Sequence, residues 1–237
     1  MPEFIHTGKN KKKFVKQMFN DISTHYDFLN RVLSFGVDRY WRKKLIQFMD
    51  IKDNQYILDV ATGTGDVIFE ISKNYNITAV GLDISKKMLE IANLKLSKIK
   101  DKKIEFIYGD AENLPMGDNS CDHICIAFGF RNFGDYDVAL KEFHRVLKPG
   151  GKLSILEFSQ SKVRFFNIIF QIYFNKILPQ IASLISRADA YRYLPESVKY
   201  FPNQEKINKF LKDNKFNDIE LNPLTFGIAT IYKGIKN

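Results

Sequence analysis

A run of apolar residues leads directly into a glycine-containing turn in the first third of the chain. Residues 57–60 (ILDV) are typical of a buried strand, residues 61–65 (ATGTG) of a tight turn, and residues 66–71 of a helix with apolar periodicity. Glycine at positions 63 and 65 permits positive φ angles and a close approach of the backbone to a ligand. This combination is typical of parallel-sheet proteins that bind nucleotide-like cofactors. An ordinary strand-turn-helix unit is the alternative.

The residues around this turn narrow the kind of cofactor. Ile68 occupies the position of the third glycine of dinucleotide-binding motifs, and the sequence contains no Gly-Lys-Ser/Thr phosphate-binding motif. A second apolar strand ends at Asp83, where a carboxylate can bind both hydroxyls of a ribose. Asp83 follows Gly65 at close to the expected spacing of about 20 residues. The pattern Asp-x-Ala-x-Gly-x-Gly at 59–65 with this acid resembles the class I methyltransferases, and the resemblance implies S-adenosylmethionine as the cofactor.

Composition places the chain among intracellular globular proteins. It has 237 residues, enough to bury a sizeable core, and a formal net charge of +9. Lysine far outnumbers arginine, so this basicity is a weak indication of nucleic-acid binding. Cys121 and Cys125 lie on one predicted strand, too far apart to form a disulfide. The N-terminal stretch is polar and no metal-ligand cluster is evident, so we expect a cytoplasmic protein without a metal ion.

Strands and helices alternate from residue 56, which predicts a doubly wound α/β fold. Strands are expected near 56–61, 77–82, 104–109, 121–128 and 151–158. Helices are expected near 65–74, 85–98 and 136–147, with Ser85 as an N-cap; Lys148-Pro149-Gly150-Gly151 is expected to end the preceding helix and to start the fifth strand. A helix at 204–214 and two strands within 217–235 complete a mainly parallel seven-stranded sheet with a C-terminal antiparallel hairpin. This is the Rossmann-like fold of class I methyltransferases.

We expect one domain, 1–237, with two helical additions. Residues 1–50 are predicted to form an N-terminal helical cap over the cofactor site, with residues 1–8 disordered and helices at 9–20 and up to about Met49. Residues 161–198 do not fit the alternation and are predicted to be a helical insertion. Pro179 and several polar residues interrupt its apolar run, which favours two short amphipathic helices over a membrane span.

Polar and small residues follow the third and fourth strands, at the edge where open α/β sheets bind ligands. Asp110 and Ala111 end the third strand and suit recognition of an adenine ring and its amino group, although an Asp that caps a short helix is an equal alternative. The fourth strand is followed by Phe128-Gly129-Phe130-Arg131-Asn132. The Asn/Asp-Pro-Pro-Tyr/Phe motif, frequent in methyltransferases that act on amino groups of bases, does not occur there.

Longer motifs resemble the ubiquinone/menaquinone-biosynthesis C-methyltransferases, which include demethylmenaquinone methyltransferase. One family pattern is matched by Tyr26, Asp27, Asn30, Ser34 and Trp41. The chain departs from it at Leu29, where the family has Met, and at Asp38, where the family has His. A second pattern is matched at every fixed position by residues 145–151 (RVLKPGG), Leu153, Leu156, Glu157 and Ser159. Residues 128–132 and 193–198 also match family segments, so the resemblance extends from about 14 to 235.

The resemblance implies how the cofactor and acceptor are held. It assigns cofactor contacts to Thr64, Asp83, Asp110 and Ala111, and the glycine turn adds Asp59, Gly63 and Gly65. Some family members place a serine where this chain has Ala127, so that contact is missing here. Residues expected to bind the acceptor are Tyr26, Asn30, Asn132, Phe165 and Tyr193.

Arg131 is the candidate catalytic residue. A cation that follows the fourth strand can stabilise a phenolate oxyanion or orient a water that takes the proton. A salt bridge to a neighbouring acid is the alternative role for Arg131. His25 and His123 are alternative bases, although His123 lies in the middle of a strand and is better explained as buried structure.

The implied function is S-adenosylmethionine-dependent C-methylation of a polyprenyl quinol, demethylmenaquinol to menaquinol, in menaquinone and also ubiquinone biosynthesis. Methylation of 2-polyprenyl-6-methoxy-1,4-benzoquinol alone is the first alternative. The sequence pI of 9.3 suggests an RNA methyltransferase as the second alternative. The missing Pro-Pro motif and the lack of an RNA-binding module argue against this alternative. A non-catalytic subunit of the quinone pathway is the third interpretation, and the intact glycine turn and Asp83 argue against it.

The expected partners are the quinol and the inner face of a membrane, with no nucleic acid. The insertion is predicted to form the apolar channel for the prenyl tail and the membrane-facing side, and the alternative is that its apolar residues complete the core. N-terminal lysines add attraction to anionic lipid. The sequence does not determine the oligomeric state.

Overall fold

The computed structural model describes residues 8–99, 103–159 and 188–237. The disorder predicted for the N-terminal residues falls almost entirely outside these ranges. The same holds for the channel predicted in the insertion, including Phe165. Of the insertion, residues 188–198 are described, and they lie in a helix.

The strands are β1 (Tyr56–Val60), β2 (Thr78–Asp83), β3 (Lys103–Tyr108), β4 (Cys121–Ala127), β5 (Leu147–Phe158), β6 (Phe216–Leu224) and β7 (Ala229–Lys236). They form one seven-stranded sheet in the order β3-β2-β1-β4-β5-β7-β6. The first five strands are parallel, and β7 is antiparallel to both of its neighbours. The predicted mainly parallel sheet with a C-terminal antiparallel hairpin is therefore confirmed.

The helices are α1 (Gly8–Ile22), α2 (Tyr26–Leu33), α3 (Val37–Met49), α4 (Asp66–Ile71), α5 (Lys86–Leu96), α6 (Tyr136–Val146), α7 (Ala188–Lys199) and α8 (Gln204–Asp213). Ser85 caps α5 as predicted, because its side-chain oxygen accepts a hydrogen bond from the Met88 backbone N–H at 3.3 Å. Asp135 caps α6 in the same way, through the N–H groups of Asp137 and Val138. Among the described residues, no helix is long and apolar enough to cross a membrane.

The start of β5 differs from the prediction. The strand begins at Leu147, which pairs with Cys121, and regular pairing resumes between Lys152 and His123. Lys148-Pro149-Gly150-Gly151 therefore follows the helix and lies in the first part of the strand, as predicted, but it forms a bulge there, and the strand starts four residues before the predicted 151. Proline cannot donate to a strand ladder and is tolerated at a bulge, and Gly150 supplies a φ of 76°.

Apolar residues on both faces of the sheet fix its position between two helical layers. Leu58 is fully buried in a cluster with residues of α6 and α8, and its neighbour Ile57 in a cluster with residues of α3, α4 and α5. Successive strand residues point to opposite faces, so the central strands read as continuous apolar runs. This two-sided burial holds the carboxyl ends of β1 to β4 at one edge. The division into a single domain with a helical cap and an insertion stays a prediction.

Candidate active site

The glycine turn after β1 has the strained backbone expected of a ligand-binding loop. Gly63 and Gly65 have φ angles of 57° and 84°. A Cβ atom on Gly65 would lie 2.6 Å from the ring of Phe106, so a larger residue does not fit. Ala61 and Phe128, at the ends of β1 and β4, also have positive φ angles, of 55° and 60°. Non-glycine residues in this region cluster at functional sites.

Asp83 lies at the centre of this edge of the sheet. Its carboxylate accepts hydrogen bonds from the backbone N–H groups of Gly63 and Ser85, both at 2.8 Å. Burial raises the pKa of Asp83 to about 6, against the opposing effect of these two hydrogen bonds. Since a carboxylate accepts about four hydrogen bonds, acceptor capacity remains for a ligand. Asp83 therefore connects the glycine turn to α5 and presents a fixed acceptor.

Asp59 stabilises the glycine turn through side-chain hydrogen bonds. Its carboxylate accepts a hydrogen bond from the Thr62 hydroxyl at 2.6 Å and one from the Cys125 thiol at 3.5 Å. The residue is 1 % exposed, and burial raises its pKa to about 7. Asp59 thus holds the backbone of the turn, and its predicted cofactor contact stays a prediction.

A cavity that is partly open to solvent lies between the sheet edge and the helical cap. Its floor includes Gly63, Asp83, Asp110 and Ala111, four of the predicted cofactor residues. Its roof comes from α1 and α2, through Lys12, Val15, Phe19 and Tyr26. The wall formed after β4 includes Ala127, Phe128, Gly129, Asn132 and Phe133. Asp83 and Asp110 at the strand ends and apolar side chains of the roof and wall therefore line the same cavity, which is the set of acceptors and apolar groups that an adenosyl group requires.

Asp110 forms an ion pair with Lys12 of the roof helix α1. Lys12 lies 2.7 Å from the Asp110 carboxylate and 2.6 Å from that of Glu112. The other Asp110 oxygen accepts a hydrogen bond from the Glu112 backbone N–H at 3.0 Å. The predicted adenine-binding acid is therefore present at the cavity but ion-paired to α1.

Thr64 faces the helical cap through its side chain. Its hydroxyl donates to Asp27 of α2 at 2.7 Å and accepts from Lys95 of α5 at 2.8 Å. Lys95 also pairs with Asp27 and with Asp66, at 2.7 and 2.9 Å. We call Asp27, Thr64, Asp66 and Lys95 the α2 clamp, since together they tie α2 to the glycine turn. A contact from the Thr64 side chain to a cofactor stays a prediction.

Arg131 makes the salt bridge that was its alternative role. Its guanidinium lies 2.8 Å from the Glu157 carboxylate, and both side chains are buried. The same guanidinium donates to the Phe128 backbone carbonyl and, at 3.3 Å, to Ser197 of α7. The backbone N–H of Arg131 donates to Glu157 at 3.1 Å. Arg131 therefore fixes the turn after β4, which carries Asn132 to the cavity wall.

Four of the predicted acceptor residues fall in the described ranges. Tyr193 of α7 donates from its hydroxyl to the Asn132 side-chain oxygen at 3.0 Å, and burial raises the pKa of Tyr193 to about 12. Tyr26 lines the cavity and its hydroxyl hydrogen-bonds Asn30.

Lys11 donates to the Arg131 carbonyl at 2.8 Å, and its pKa is lowered to about 8, first by burial and then by the nearby Arg131 charge.

The described residues that line this cavity do not include His25 or His123, the two alternative bases. His123 hydrogen-bonds Gln55 at 3.1 Å near the amino ends of the strands, and burial lowers its pKa to about 4. His25 is exposed and contacts Thr24. Asp38, which replaces the family histidine, is buried with Arg42 and Ser34. The interpretation of His123 as buried structure agrees with this placement.

The comparison with known protein families identifies the family to which the chain belongs. Residues 6–236 match the ubiE/COQ5 methyltransferase family. The chain belongs to this family. The match spans almost the whole sequence and includes both long motifs.

Relatives in the ubiE/COQ5 family are similar over nearly their full length. The chain is 42 % identical over 236 residues to the ubiquinone/menaquinone biosynthesis C-methyltransferase UbiE of Geotalea daltonii, covering 98 % of this chain and 100 % of the relative. It is 43 % identical to demethylmenaquinone methyltransferase of Deinococcus radiodurans, covering 96 % and 95 %. The corresponding protein of Thermus thermophilus is 42 % identical, covering 92 % and 99 %.

Solved structures agree on the fold. A putative methyltransferase from Haloferax volcanii, determined with the activator Trm112, has a TM-score of 0.65 at 16 % identity and covers 91 % of this chain and 97 % of its own. Haemonchus contortus phosphoethanolamine N-methyltransferase 2, bound to S-adenosylhomocysteine, has a TM-score of 0.64 at 18 % identity and covers 82 % and 52 %. At these identities the likeness supports the class I fold alone.

Sequence reasoning missed the residues that join the cap to the sheet. Lys95 and Lys12 are single lysines in a lysine-rich chain, and nothing in their local pattern distinguishes them. Glu157 belongs to a family motif, but its ion pair with Arg131 depends on how the ends of β4 and β5 lie side by side in the sheet. Asp27 was named in the motif but without its contact to Thr64.

Proposed function

We propose that the chain transfers the methyl group of S-adenosylmethionine to a ring carbon of a polyprenyl quinol, converting demethylmenaquinol to menaquinol. The observation that carries the proposal is the cavity that Asp83 and Asp110 line together with apolar side chains and the turn at 128–133. Family membership and the names of the relatives support the acceptor class. The relatives named for both ubiquinone and menaquinone biosynthesis favour 2-polyprenyl-6-methoxy-1,4-benzoquinol as a second acceptor.

The proposed cofactor contacts follow from the lining of the floor. Asp83 would bind the ribose hydroxyls, since its position is fixed by two backbone N–H groups. Asp110 would accept from the adenine amino group, with Ala111 leaving room for the ring. Gly63 would bring the backbone close to the cofactor, with Asp59 and Thr64 holding the turn. When bound, S-adenosylmethionine supplies an electrophilic methyl group.

The acceptor must be held with its reacting carbon in line with that methyl group and away from water. The roof residue Tyr26 and the wall residues Phe128 and Asn132 bound the space next to the glycine turn. Deprotonation of a quinol hydroxyl increases the electron density on the neighbouring ring carbon. Arg131, next to the turn that carries Asn132, is the proposed source of positive charge for that deprotonated state; its ion pair with Glu157 fixes its position and offsets part of its charge.

The proposal includes the place of action. We place the protein in the cytoplasm, in peripheral contact with the inner face of the membrane that contains the quinol. Lys9 and Lys13 of α1 are exposed, and their positive charge suits contact with an anionic surface. The helical cap, residues 1–50, serves in this proposal as the roof of the active site.

The test offers labelled S-adenosylmethionine with demethylmenaquinol, with the methoxybenzoquinol and with each oxidised quinone. We expect label in the lipid fraction with a quinol and none with the matching quinone in the absence of a reductant, because only the hydroxyl supplies electrons to the ring. Equal incorporation into quinone and quinol would reject this chemistry. Transfer of label to RNA and not to lipid would reject the acceptor class.

A further inference from the structure

We propose that the outer face of α2, together with the first turns of α3, is the surface through which the protein docks on an anionic lipid bilayer. The inference rests on the proposed function and deepens it, since a polyprenyl acceptor resides in a bilayer. It assigns membrane contact to described residues of the helical cap. Residues 161–187 of the predicted membrane-facing insertion lie outside the described residues, and the proposal does not depend on them.

Three apolar side chains form a stripe on the outer face of the roof. Phe28 is 59 % exposed, Val32 is 38 % exposed and Phe35 is 79 % exposed. Phe28 and Val32 are four residues apart and lie on one face of α2, and Phe35 follows in the turn after the helix. We call these three residues the apolar ridge. An exposed helix face normally carries polar side chains, and contiguous exposed apolar residues mark contact with a partner or a membrane.

The apolar ridge ends at a residue with an unusual backbone conformation. Phe35 has a φ of 50°, in the left-handed region that favours glycine or asparagine. A large aromatic residue there combines backbone strain with exposure of its ring. The left-handed backbone at Phe35 belongs to the turn that ends α2, in which the Gly36 N–H donates to the Arg31 carbonyl at 2.8 Å.

Charge around the ridge matches an anionic surface. Asp27 and Asp38 are the acidic residues between positions 22 and 49. Asp27 is paired with Lys95, and Asp38 is buried against Arg42. Arg39 and Lys43 are exposed and lie one helical turn apart on α3. An apolar stripe beside cations whose acidic neighbours are already paired is the composition of an interfacial membrane helix.

The other face of α2 forms part of the active site. Tyr26 lines the cavity and Leu29 is 2 % exposed. A helix with its side chains is about 10 Å across, so docking through the apolar ridge brings the lipid surface within about one helix diameter of the cavity roof. The acceptor ring would then have a short path from the bilayer, and the α2 clamp would hold the docked helix to the glycine turn.

Co-flotation measures the proposed docking directly. The wild-type protein and the variant Phe28→Ser/Val32→Ser/Phe35→Ser are mixed with phosphatidylcholine vesicles with and without phosphatidylglycerol. We expect the wild type to float with anionic vesicles and the ridge variant to have a partition coefficient about tenfold lower, because the binding of interfacial helices scales with buried apolar area. An unchanged partition coefficient in the folded ridge variant would overturn the proposal.

Matched controls change the same chemistry elsewhere. Leu94→Ser/Val138→Ser removes two residues that are 65 % and 39 % exposed on α5 and α6, and it should float like the wild type. Arg39→Glu/Lys43→Glu should abolish the preference for anionic vesicles, whereas Lys206→Glu/Lys209→Glu on α8, also exposed, should retain it. Equal loss in ridge and control variants would assign binding to general surface properties and reject the ridge.

A fluorescence measurement tests whether the ridge enters the lipid. Trp41 is the single tryptophan of the chain and is 5 % exposed. A tryptophan introduced by Phe35→Trp should be quenched by brominated acyl chains, while the emission of Trp41 in the wild type is not. Sedimentation provides the remaining outcome: a dimer that the ridge substitutions dissociate, without flotation of the wild type, would make the ridge an interface between copies and overturn lipid docking.

Failure of the proposed function remains distinguishable from failure of the docking proposal. A tail-less quinol in vesicle-free buffer is methylated without membrane contact, so the ridge variant should keep the wild-type rate on it. Absence of that rate in the wild type would reject the proposed function while flotation still reports on docking. A ridge variant that retains the full rate on long-tailed quinol in anionic vesicles would reject the docking surface alone.

Discussion

The carboxylate of Asp83 is held in place by the protein before any ligand binds. Two backbone N–H groups from opposite sides of the site fix its orientation. An acceptor that is already oriented loses little conformational freedom on binding, so each hydrogen bond from a ribose contributes more of its energy to affinity. The cofactor residue with the greatest expected effect is therefore Asp83.

Replacement of Asp83 by alanine should weaken the binding of S-adenosylmethionine by about 10- to 100-fold, because it removes charge-assisted hydrogen bonding worth about 1.5–3 kcal/mol in total. Calorimetric titration of the folded variant gives the dissociation constant. Asp213→Ala, at the exposed end of α8, is the control and should bind as the wild type. Unchanged affinity in the Asp83 variant would remove Asp83 from the cofactor site.

The same residue makes cofactor affinity depend on pH. Burial raises the pKa of Asp83 to about 6, so the carboxylate is ionised above that pH and protonated below it. Only the ionised form accepts from both ribose hydroxyls, and affinity should therefore fall as the pH drops through about 6. Titrations across that pH with wild type and Asp83→Asn measure the effect. The asparagine variant should bind weakly with a flatter profile, and identical profiles would attribute the pH effect to another group.

Arg131 has a structural partner, so its contribution to the reaction needs a paired test. Arg131→Met alone leaves the buried Glu157 without a counter-charge, which costs about 3–5 kcal/mol of stability. The double variant Arg131→Met/Glu157→Gln should regain stability but remain low in kcat, with a smaller change in the cofactor KM. Thermal unfolding and steady-state kinetics separate the two effects. Recovery of kcat in the double variant would mean that Arg131 only neutralises Glu157.

Helix α2 is an element with contacts on both sides, the cavity on one and solvent on the other. Its position depends on the α2 clamp, in which Lys95 of α5 reaches both Asp27 and Asp66. A short helix of eight residues has little intrinsic stability, so its place over the cavity depends on such tertiary contacts.

Lys95→Met should loosen α2 without unfolding the sheet. The pairs are partly exposed, so their loss is worth about 1 kcal/mol, or about a fivefold decrease in kcat/KM. Hydrogen exchange should become faster in α2 and remain unchanged in β1 and β4. Lys73→Met, which removes the exposed pair with Glu70, is the control and should leave exchange and kinetics as they are. Equal exchange of α2 in both variants would contradict the clamp.

The elements followed from sequence more readily than the contacts between them. The N-cap Ser85, the strand ending at Asp83 and the alternation of strands with helices are local patterns, and all were predicted. The bulge at 148–151 was not predicted, because a glycine pair after proline is typical of a turn between two elements as well as of a bulge within a strand. The ion pair of Lys12 with Asp110 joins residues far apart in sequence, and no local pattern specifies which of many lysines reaches that acid.

At the scale of the whole molecule, buried carboxyl groups under the active site oppose stability at neutral pH. Burial raises the pKa of Asp59 to about 7, above the value of about 4 in an unfolded chain. The folded state therefore holds a proton that the unfolded state has released, and stability falls as the pH rises from about 4 to about 7. His123, with its pKa lowered to about 4, acts in the opposite direction below about 6.5.

Asp59→Asn should remove the unfavourable contribution of Asp59 and leave that of His123. Relative to the wild type, the variant should gain free energy of unfolding as the pH rises from about 4 to about 7, by on the order of 4 kcal/mol at most. Urea unfolding at several pH values measures the difference. The exposed Asp213→Asn serves as the reference, and a stability difference between Asp59→Asn and wild type that is constant with pH would contradict the raised pKa.

The strand order also has a consequence for synthesis of the chain on the ribosome. β6 emerges before β7, yet β7 lies between β5 and β6 in the sheet. Until β7 is available, β5 exposes an apolar, unpaired edge and β6 has no strand to pair with. Domains fold from the N-terminus as they are made, so the parallel half can form first and wait with this edge open. Chaperone protection during translation should therefore concentrate on the edge of β5 and end when β7 is inserted.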